Sequence, residues 1–282
     1  MKTVGEIISL STKYLEERKI AKPRLQAEEL LADLLGCKRI DLYMQFERPL
    51  QENELATFRE KLKRRGKGEP LGYLLSRIEF FHCNFEISPA VLIPRPETEI
   101  LAAKIADGLK SLDLNQKVAW DLCAGSGVLG ISLKKQFPSL TVSLSDLSEE
   151  ALKVAQKNAQ KNQVEVHFVQ GDLLKPFFWK KADFVFCNPP YIGEEEYRAL
   201  DPEVAGFEPK GALLAGNTGL EFYARLAKEL PAHLNSGAKV FFEIGTGQGS
   251  AIQKLFSAPC WTKIEVERDW AGHDRFFFLE FQ

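Results

Sequence analysis

The sequence predicts an α/β protein: a Rossmann-like, mostly parallel sheet covered by helices, preceded by a small helical domain that a β-hairpin joins to it. Three observations predict this. Apolar strands alternate with helices from residue 117 onward, the pattern that builds parallel sheets. Leucines recur at helical spacing through the first seventy or so residues, and Phe81, Cys83, Phe85 and Ile87 alternate with more polar neighbours between 79 and 93. The expected boundaries are 1–75 for the helical domain, 76–95 for the linking hairpin and 96–282 for the sheet domain.

Val4, Ile7, Ile8 and Leu15 share one helical face. Leu30, Leu31, Leu34 and Leu35 define a second helix, with Pro23 placed to start it and Gly36 to stop it. Leu55, Phe58 and Leu62 mark a third, which runs into the basic stretch 61–67, where five of seven residues are Lys or Arg. That stretch has two readings, a solvated helix end favoured by the macrodipole or a docking surface for an acidic partner or RNA. Pro94, Arg95 and Pro96 form a stiff lead into a helix beginning near Glu97. The sheet domain follows as strand 117–122, helix 128–136, strand 140–145, helix 149–160 and strand 164–169, with later strands at 182–187, 239–244 and 276–281. Ligands of such sheets bind at the carboxyl ends of the strands.

Composition narrows the function classes. At 45% hydrophobic and 27% charged residues the chain is neither disordered nor collagen-like. A net charge of -2 lacks the basic excess that phosphate neutralisation demands, so no stable nucleic-acid binding is expected. The five cysteines are dispersed and form no CxxC, which indicates neither a disulfide framework nor a zinc ribbon. Glu6, Lys13, Glu16 and Glu17 occupy the stretch where a signal peptide carries its apolar region, so a cytoplasmic protein without membrane association is expected. His82, His167, His233 and His273 are scattered, and no metal site is expected.

Gly125, Gly127 and Gly130 match GxGxxG between an apolar strand and a helix, where the backbone can turn sharply and present free N–H groups to a ligand. Gly245, Gly247 and Gly249 also lie between a strand and a helix, and this second turn is read as structural. Asp146 closes the next strand, 19 residues after Gly127. Two readings stand for it: acceptor for both hydroxyls of a ribose, or, with Ser148, a cap for the helix from Glu149. Gly171 and Asp172 end the third strand similarly, where a carboxylate can reach an adenine amino group or simply make a turn.

The strand Phe184, Val185, Phe186, Cys187 runs into Asn188, Pro189, Pro190, Tyr191. Two consecutive prolines end the ladder and fix the backbone, which holds the Asn188 side-chain oxygen and the Pro189 carbonyl as two rigid acceptors. A planar NH2 group offers two hydrogens to such a pair, with Tyr191 expected over its plane. Glu194, Glu195 and Glu196 follow, read either as a rim that attracts a basic polypeptide or as an exposed first helical turn.

Taken in order, the glycine turn, Asp146, Gly171 with Asp172, and Asn-Pro-Pro-Tyr resemble class I S-adenosylmethionine-dependent methyltransferases acting on a planar nitrogen. More narrowly, the chain resembles the HemK-type protein-(glutamine-N5) methyltransferases. The resemblance includes Glu69–Tyr73, Pro94-Arg-Pro-Glu-Thr-Glu99, Phe207-Glu-Pro209, Gly219–Tyr223 and Glu243-Ile-Gly245 with Gln248 and Gly249. It implies S-adenosylmethionine as cofactor, class I peptide chain release factors as partners, and methyl transfer to the glutamine of their GGQ motif, with 1–75 as a substrate-recognition domain. It further implies cofactor contacts at Cys123, Ala124, Gly125, Ser126, Gly127, Asp146, Asp172, Leu173 and Asn188. Asn188 and Pro189 are implied as catalytic and Asn188, Pro189, Pro190 and Tyr191 as substrate-binding. The family usually has Gly where this chain has Cys123, so the backbone there must avoid positive φ or accept strain. The alternatives are an amino-methyltransferase acting on a nucleic-acid base, an NAD-dependent dehydrogenase, which leaves Asn-Pro-Pro-Tyr without a role, and a non-catalytic binding module of the same fold.

Overall fold

Thr3 opens the first helix by accepting the Glu6 N–H, and the Glu6 carboxylate accepts the Thr3 N–H in return, a reciprocal cap that satisfies two free donors. The structure, a computed structural model, describes residues 2–282. Helix α1 (Val4–Glu16) is followed by α2 (Pro23–Leu35), which starts at Pro23 and ends where Gly36 takes φ 64°. The short α3 (Asp41–Met44), then α4 (Glu52–Arg65) and the short α5 (Leu71–Leu75) complete the helical region. Val4, Ile8, Leu30, Leu31, Phe58 and Leu74 are among its buried core.

The chain divides into two units, one running through Arg77 and including Asp201–Phe207, the other comprising Ile78–Leu200 and Glu208–Gln282. Within the first, the basic stretch is largely spent on internal partners. Arg65 is 1% exposed and bonds Glu203 Oε2 at 2.6 Å, the Glu69 carbonyl at 3.0 Å and the Gln26 side chain. Lys61 pairs with Asp33 at 2.7 Å and Arg64 with Glu69 at 2.6 Å.

A hairpin of β1 (Arg77–Phe80) and β2 (Cys83–Glu86), in the second unit from Ile78 on, turns through Phe81 and His82 at φ 43° and 62°. Its strands stop at 86, well short of 93, and Phe81 lies in the turn instead of the ladder. Expected as a linker, the hairpin is stitched to a helix of the sheet unit by two buried amides described below.

The chain continues through α6 (Pro96–Leu109), β3 (Val118–Leu122), α7 (Val128–Gln136), β4 (Thr141–Asp146), α8 (Glu149–Asn162), β5 (His167–Gln170) and β6 (Ala182–Cys187). Then come β7 (Ile192–Gly193), α9 (Glu194–Arg198), α10 (Pro202–Phe207), which belongs to the first unit, β8 (Leu214–Gly216) and α11 (Glu221–Glu229). The chain closes with β9 (Leu234–Glu243), α12 (Gly249–Leu255), β10 (Trp261–Arg268) and β11 (Asp274–Phe281). Strand β5 starts three residues later than expected, because α8 runs on to Asn162 and ends through Gln163 in the left-handed region. Strand β10 went unpredicted: Lys263, Glu265 and Glu267 alternate along it and mask its apolar face.

Seven strands form one sheet in the order β10-β11-β9-β6-β3-β4-β5. All neighbours are parallel except at β11, which runs against both β9 and β10. Every residue of central β6 is buried, as a strand covered on both faces requires. One apolar layer holds Leu101, Ile105, Ile131 and Leu144, and the other holds Trp120, Tyr223, Leu226 and Phe256. On α8, Asn158 and Asn162, four apart on one face, replace sheet partners for β2. Asn158 bonds both the N–H and the carbonyl of Glu86, at 2.6 and 3.0 Å, and Asn162 does the same for Asn84, at 3.1 and 2.8 Å. Among the described residues no helix is long and apolar enough to cross a membrane.

Candidate active site

Strand order reverses between β3 and β6: β4 and β5 extend the sheet on one side, β9 and β11 on the other. Leu122 lies opposite Cys187 in their parallel register, so the chain leaves the two strands side by side at Cys123 and Asn188. Such a switch point leaves a crevice above the carboxyl edge of the sheet. Here it holds a cavity of about 670 Å³, within the range of small-molecule sites.

The turn after β3 passes through three residues at positive φ, Cys123 at 54°, Gly125 at 56° and Gly127 at 81°. Cys123 therefore accepts the left-handed conformation, at a cost of about 1–2 kcal/mol for a residue with a Cβ. Each glycine has a separate reason. A Cβ on Gly125 would meet no atom within 4 Å, so its bare backbone faces open space in the cavity wall. On Gly127 it would come within 2.7 Å of Ile131 and 2.8 Å of Leu144, and on Gly130 within 2.9 Å of Asp121 Oδ2, so these two let α7 lie close on the sheet. The Ser126 carbonyl accepts from Asn158 Nδ2 at 2.9 Å, which anchors the turn to α8.

Three carboxylates line the cavity from successive strand ends. Asp121 is 1% exposed and accepts the Gly130 N–H at 2.8 Å; burial, with the charge of Asp146 adding to it, pushes its pKa up to about 7. Asp146 accepts the Gly125 N–H on Oδ2 and the Ser148 N–H on Oδ1, and burial raises its pKa against those bonds. Ser148 caps α8, its side chain accepting the Ala151 N–H, and Asp146 holds the Ser148 N–H just ahead of the helix while also standing in the cavity wall. Asp172 is held below the ordinary range by its bond to Lys175 at 2.7 Å, with Arg225 at 2.9 Å. Leu173 beside it takes φ 51°.

Across the cavity, Asn188 Nδ2 donates to Thr98 Oγ1 at 3.3 Å, and Thr98 Oγ1 donates to Glu243 Oε2 at 2.7 Å. The Tyr191 hydroxyl donates to the other oxygen of Glu243 at 3.3 Å. Glu243 is 1% exposed, and burial pushes its pKa up to about 7. The second glycine turn braces the same loop from behind: Gln248 accepts the Gly245 N–H at 2.9 Å and donates to the Tyr191 carbonyl at 2.9 Å. Its glycines are not in the cavity wall, in keeping with a structural turn.

Cys123, Ala124, Gly125, Ser126, Asp146, Asp172, Leu173, Asn188 and Pro190 are thus brought together around one cavity, whereas Gly127, Pro189 and Tyr191 are not in its lining. Tyr191, expected over an acceptor plane, directs its hydroxyl to Glu243. Glu194, Glu195 and Glu196 form the exposed first turn of α9, outside the cavity lining. Thr98, Asp121 and Glu243 carry no local signal of a role in the sequence, although Thr98 and Glu243 sit in strings that carry the family resemblance. Pro-Arg-Pro-Glu-Thr-Glu now divides by function: Arg95 bonds buried Glu208 at 2.6 Å, Pro96 starts α6, Thr98 reaches Asn188, and Glu99 accepts the Phe81 N–H of the hairpin turn at 2.8 Å.

A seven-stranded sheet with one reversed strand, a glycine turn at the switch point and acidic residues at successive strand ends define a class I S-adenosylmethionine-dependent methyltransferase. Residues 98–201 match the methyltransferase small domain and residues 6–75 the PrmC N-terminal domain. The chain is 38% identical over 277 residues to the release factor glutamine methyltransferase of Chlamydia trachomatis serovar D, covering 98% of this chain and 94% of the relative. It is 37% identical over 281 residues to the enzyme of that name from Bacillus subtilis, covering 98% and 96%. A crystal structure of a methyltransferase from Pyrococcus furiosus shares the fold, with a TM-score of 0.53 at 18% identity over 82% of this chain and 98% of that one. The chain belongs to the release factor glutamine methyltransferase family.

S-adenosylmethionine fits the cavity by size and by donor set. A carboxylate at the end of β4 suits ribose hydroxyls, the open backbone at Gly125 allows close approach, and the acidic lining suits a cationic sulfonium. When bound, it supplies an electrophilic methyl group.

Proposed function

We propose that the protein methylates the side-chain amide nitrogen of the glutamine in the GGQ motif of class I peptide chain release factors, in the cytoplasm. The observation that carries this reading is the state of the Asn188 amide. Its Nδ2 is committed to Thr98, and its Oδ1 accepts no hydrogen bond from the described residues, so an acceptor oxygen remains at the cavity wall. That oxygen suits one N–H of a planar carboxamide, and the Pro189 carbonyl is assigned the other.

An amide nitrogen is a weak nucleophile because its lone pair is delocalised into the carbonyl. Holding both hydrogens out of the amide plane favours pyramidal nitrogen and stabilises the positive charge that develops as the new C–N bond forms. The bond between the sulfonium sulfur and the methyl breaks as the C–N bond forms, its electron pair returning to sulfur to leave a neutral thioether. One of the two amide hydrogens is then lost as a proton to water, and the neutral N-methyl amide remains. Asp146 and Asp172 are assigned to the cofactor, and the Cys123–Gly127 backbone to its close approach.

The test is transfer of labelled methyl to purified release factors, run beside transfer to tRNA and ribosomal RNA. Label in the release factor alone supports the proposal. Label in the nucleic acids alone replaces it with the base-methylating alternative.

A further inference from the structure

We propose that Glu243 is a positioning residue for methyl transfer, acting through Thr98 to fix which end of the Asn188 amide faces the acceptor. The inference rests on the reading of Asn188 as the acceptor-binding group. An asparagine amide has nearly identical shape in its two flipped orientations, so shape alone does not decide whether Oδ1 or Nδ2 faces the cavity. An oxygen there binds the N–H of an incoming carboxamide, whereas an NH2 there repels it.

Hydrogen-bond direction settles the orientation. Ionised above about pH 7, the Glu243 carboxylate only accepts, so each group bonded to it then spends its hydrogen on it. Thr98 has one hydroxyl hydrogen and gives it to Glu243 Oε2 at 2.7 Å, leaving only lone pairs toward Asn188. Only Nδ2 can answer a lone pair, and it does so at 3.3 Å, which turns Oδ1 away from Thr98. The chain of bonds therefore runs one way, from Asn188 through Thr98 to Glu243.

The surroundings hold this direction. Tyr191 gives its own hydrogen to Glu243 Oε1, and the Tyr223 hydroxyl donates to the Glu243 backbone carbonyl at 2.7 Å. The charges that act on the Glu243 carboxyl are Arg275 on β11, which favours ionisation, and Glu97 on α6, which opposes it. Arg275 is itself tied to the Ile244 carbonyl at 3.1 Å and Thr246 Oγ1 at 2.7 Å. Thr98 and Asn188 line the cavity while Glu243 does not, so Glu243 acts without reaching the acceptor.

Glu243→Gln tests this at nearly constant shape. The carboxamide can donate to Thr98, which can then turn its hydrogen to Asn188 and reverse the amide. With a release factor as acceptor, kcat is expected to fall roughly 10- to 100-fold while cofactor affinity stays within two-fold. In an Asn188→Ala background, Glu243→Gln should cost less than two-fold more, because there is no amide left to orient. Losses that multiply independently in the double variant would overturn the proposal, as would a Glu243→Gln enzyme with undiminished kcat.

Thr98→Val and Thr98→Ser supply a second test that leaves Glu243 in place. The valine should lose kcat to a similar degree and the serine should recover most of it; equal losses in both would contradict the relay. A wild-type enzyme that labels no release factor defeats the functional reading itself, a result distinct from either of these.

Discussion

The Gly125 N–H donates to Asp146 Oδ2 across 2.8 Å, joining the glycine turn after β3 to the carboxylate that ends β4. One oxygen of Asp146 thus organises the turn, while the side chain as a whole stands in the cavity wall beside it.

Asp146→Ala should weaken cofactor binding by about 1.5–3 kcal/mol, roughly 10- to 150-fold in Kd, through lost bonds to ribose hydroxyls and a loosened Gly125. Equilibrium titration measures it. An unchanged Kd would assign Asp146 to the turn alone.

Asn188→Ala should lower turnover by about 100- to 1,000-fold, or about 3–4 kcal/mol, as expected for removing an aligned group that acts on developing charge. Cofactor Kd should stay within a few-fold, since the group's main partner is the acceptor. Single-turnover rates with saturating cofactor separate the two, and near-normal turnover would remove Asn188 from its role.

Asp121 and Glu243 both bear on the pH dependence of stability. Burial raises each to about 7, above the ordinary carboxylate range of an unfolded chain, so the folded state holds their protons more tightly. Their contribution is full below about pH 4 and is lost as pH rises through about 7. Asp121→Asn should therefore lose less stability than the wild type between pH 5 and pH 8, with remaining slope carried by Glu243 and by Asp146, which burial also raises. Asp172, held low, titrates below this window. Urea midpoints at several pH values measure the slopes, and parallel wild-type and variant curves would contradict the assignment.

Gly127→Ala should destabilise the fold by about 1–3 kcal/mol, because the added methyl would overpack α7 against β4 and sit at φ 81°. Thermal unfolding decides it. A variant as stable as the wild type would show that α7 can shift to make room.

The parts of the site that could be read from the sequence are those whose chemistry is local. The glycine turn, Asp146 and Asn188 with Pro190 each lie within a few consecutive residues at a strand end, whereas Pro189 and Tyr191, expected beside them, are outside the cavity lining. The parts that could not be read depend on distant partners. Thr98 and Glu243 are 145 residues apart and meet only because α6 and β9 converge beside β6. Asn158 and Asn162 read as an ordinary polar helix face, yet they satisfy the backbone of β2. The hairpin turn at Phe81 and His82 has none of the Gly or Asn residues that advertise positive φ, so tertiary structure, including the bond from Phe81 to Glu99, fixes it.

The identity of the methylated atom defines the activity. The most direct measurement is mass mapping of a purified release factor after incubation with this protein and S-adenosylmethionine, with fragmentation that localises any added methyl. A single methyl is expected on the side-chain amide nitrogen of the glutamine in the GGQ motif, absent when Asn188→Ala replaces the wild-type protein. A methyl on any other residue, or an unmodified glutamine under conditions where the protein methylates a nucleic-acid base, would contradict it.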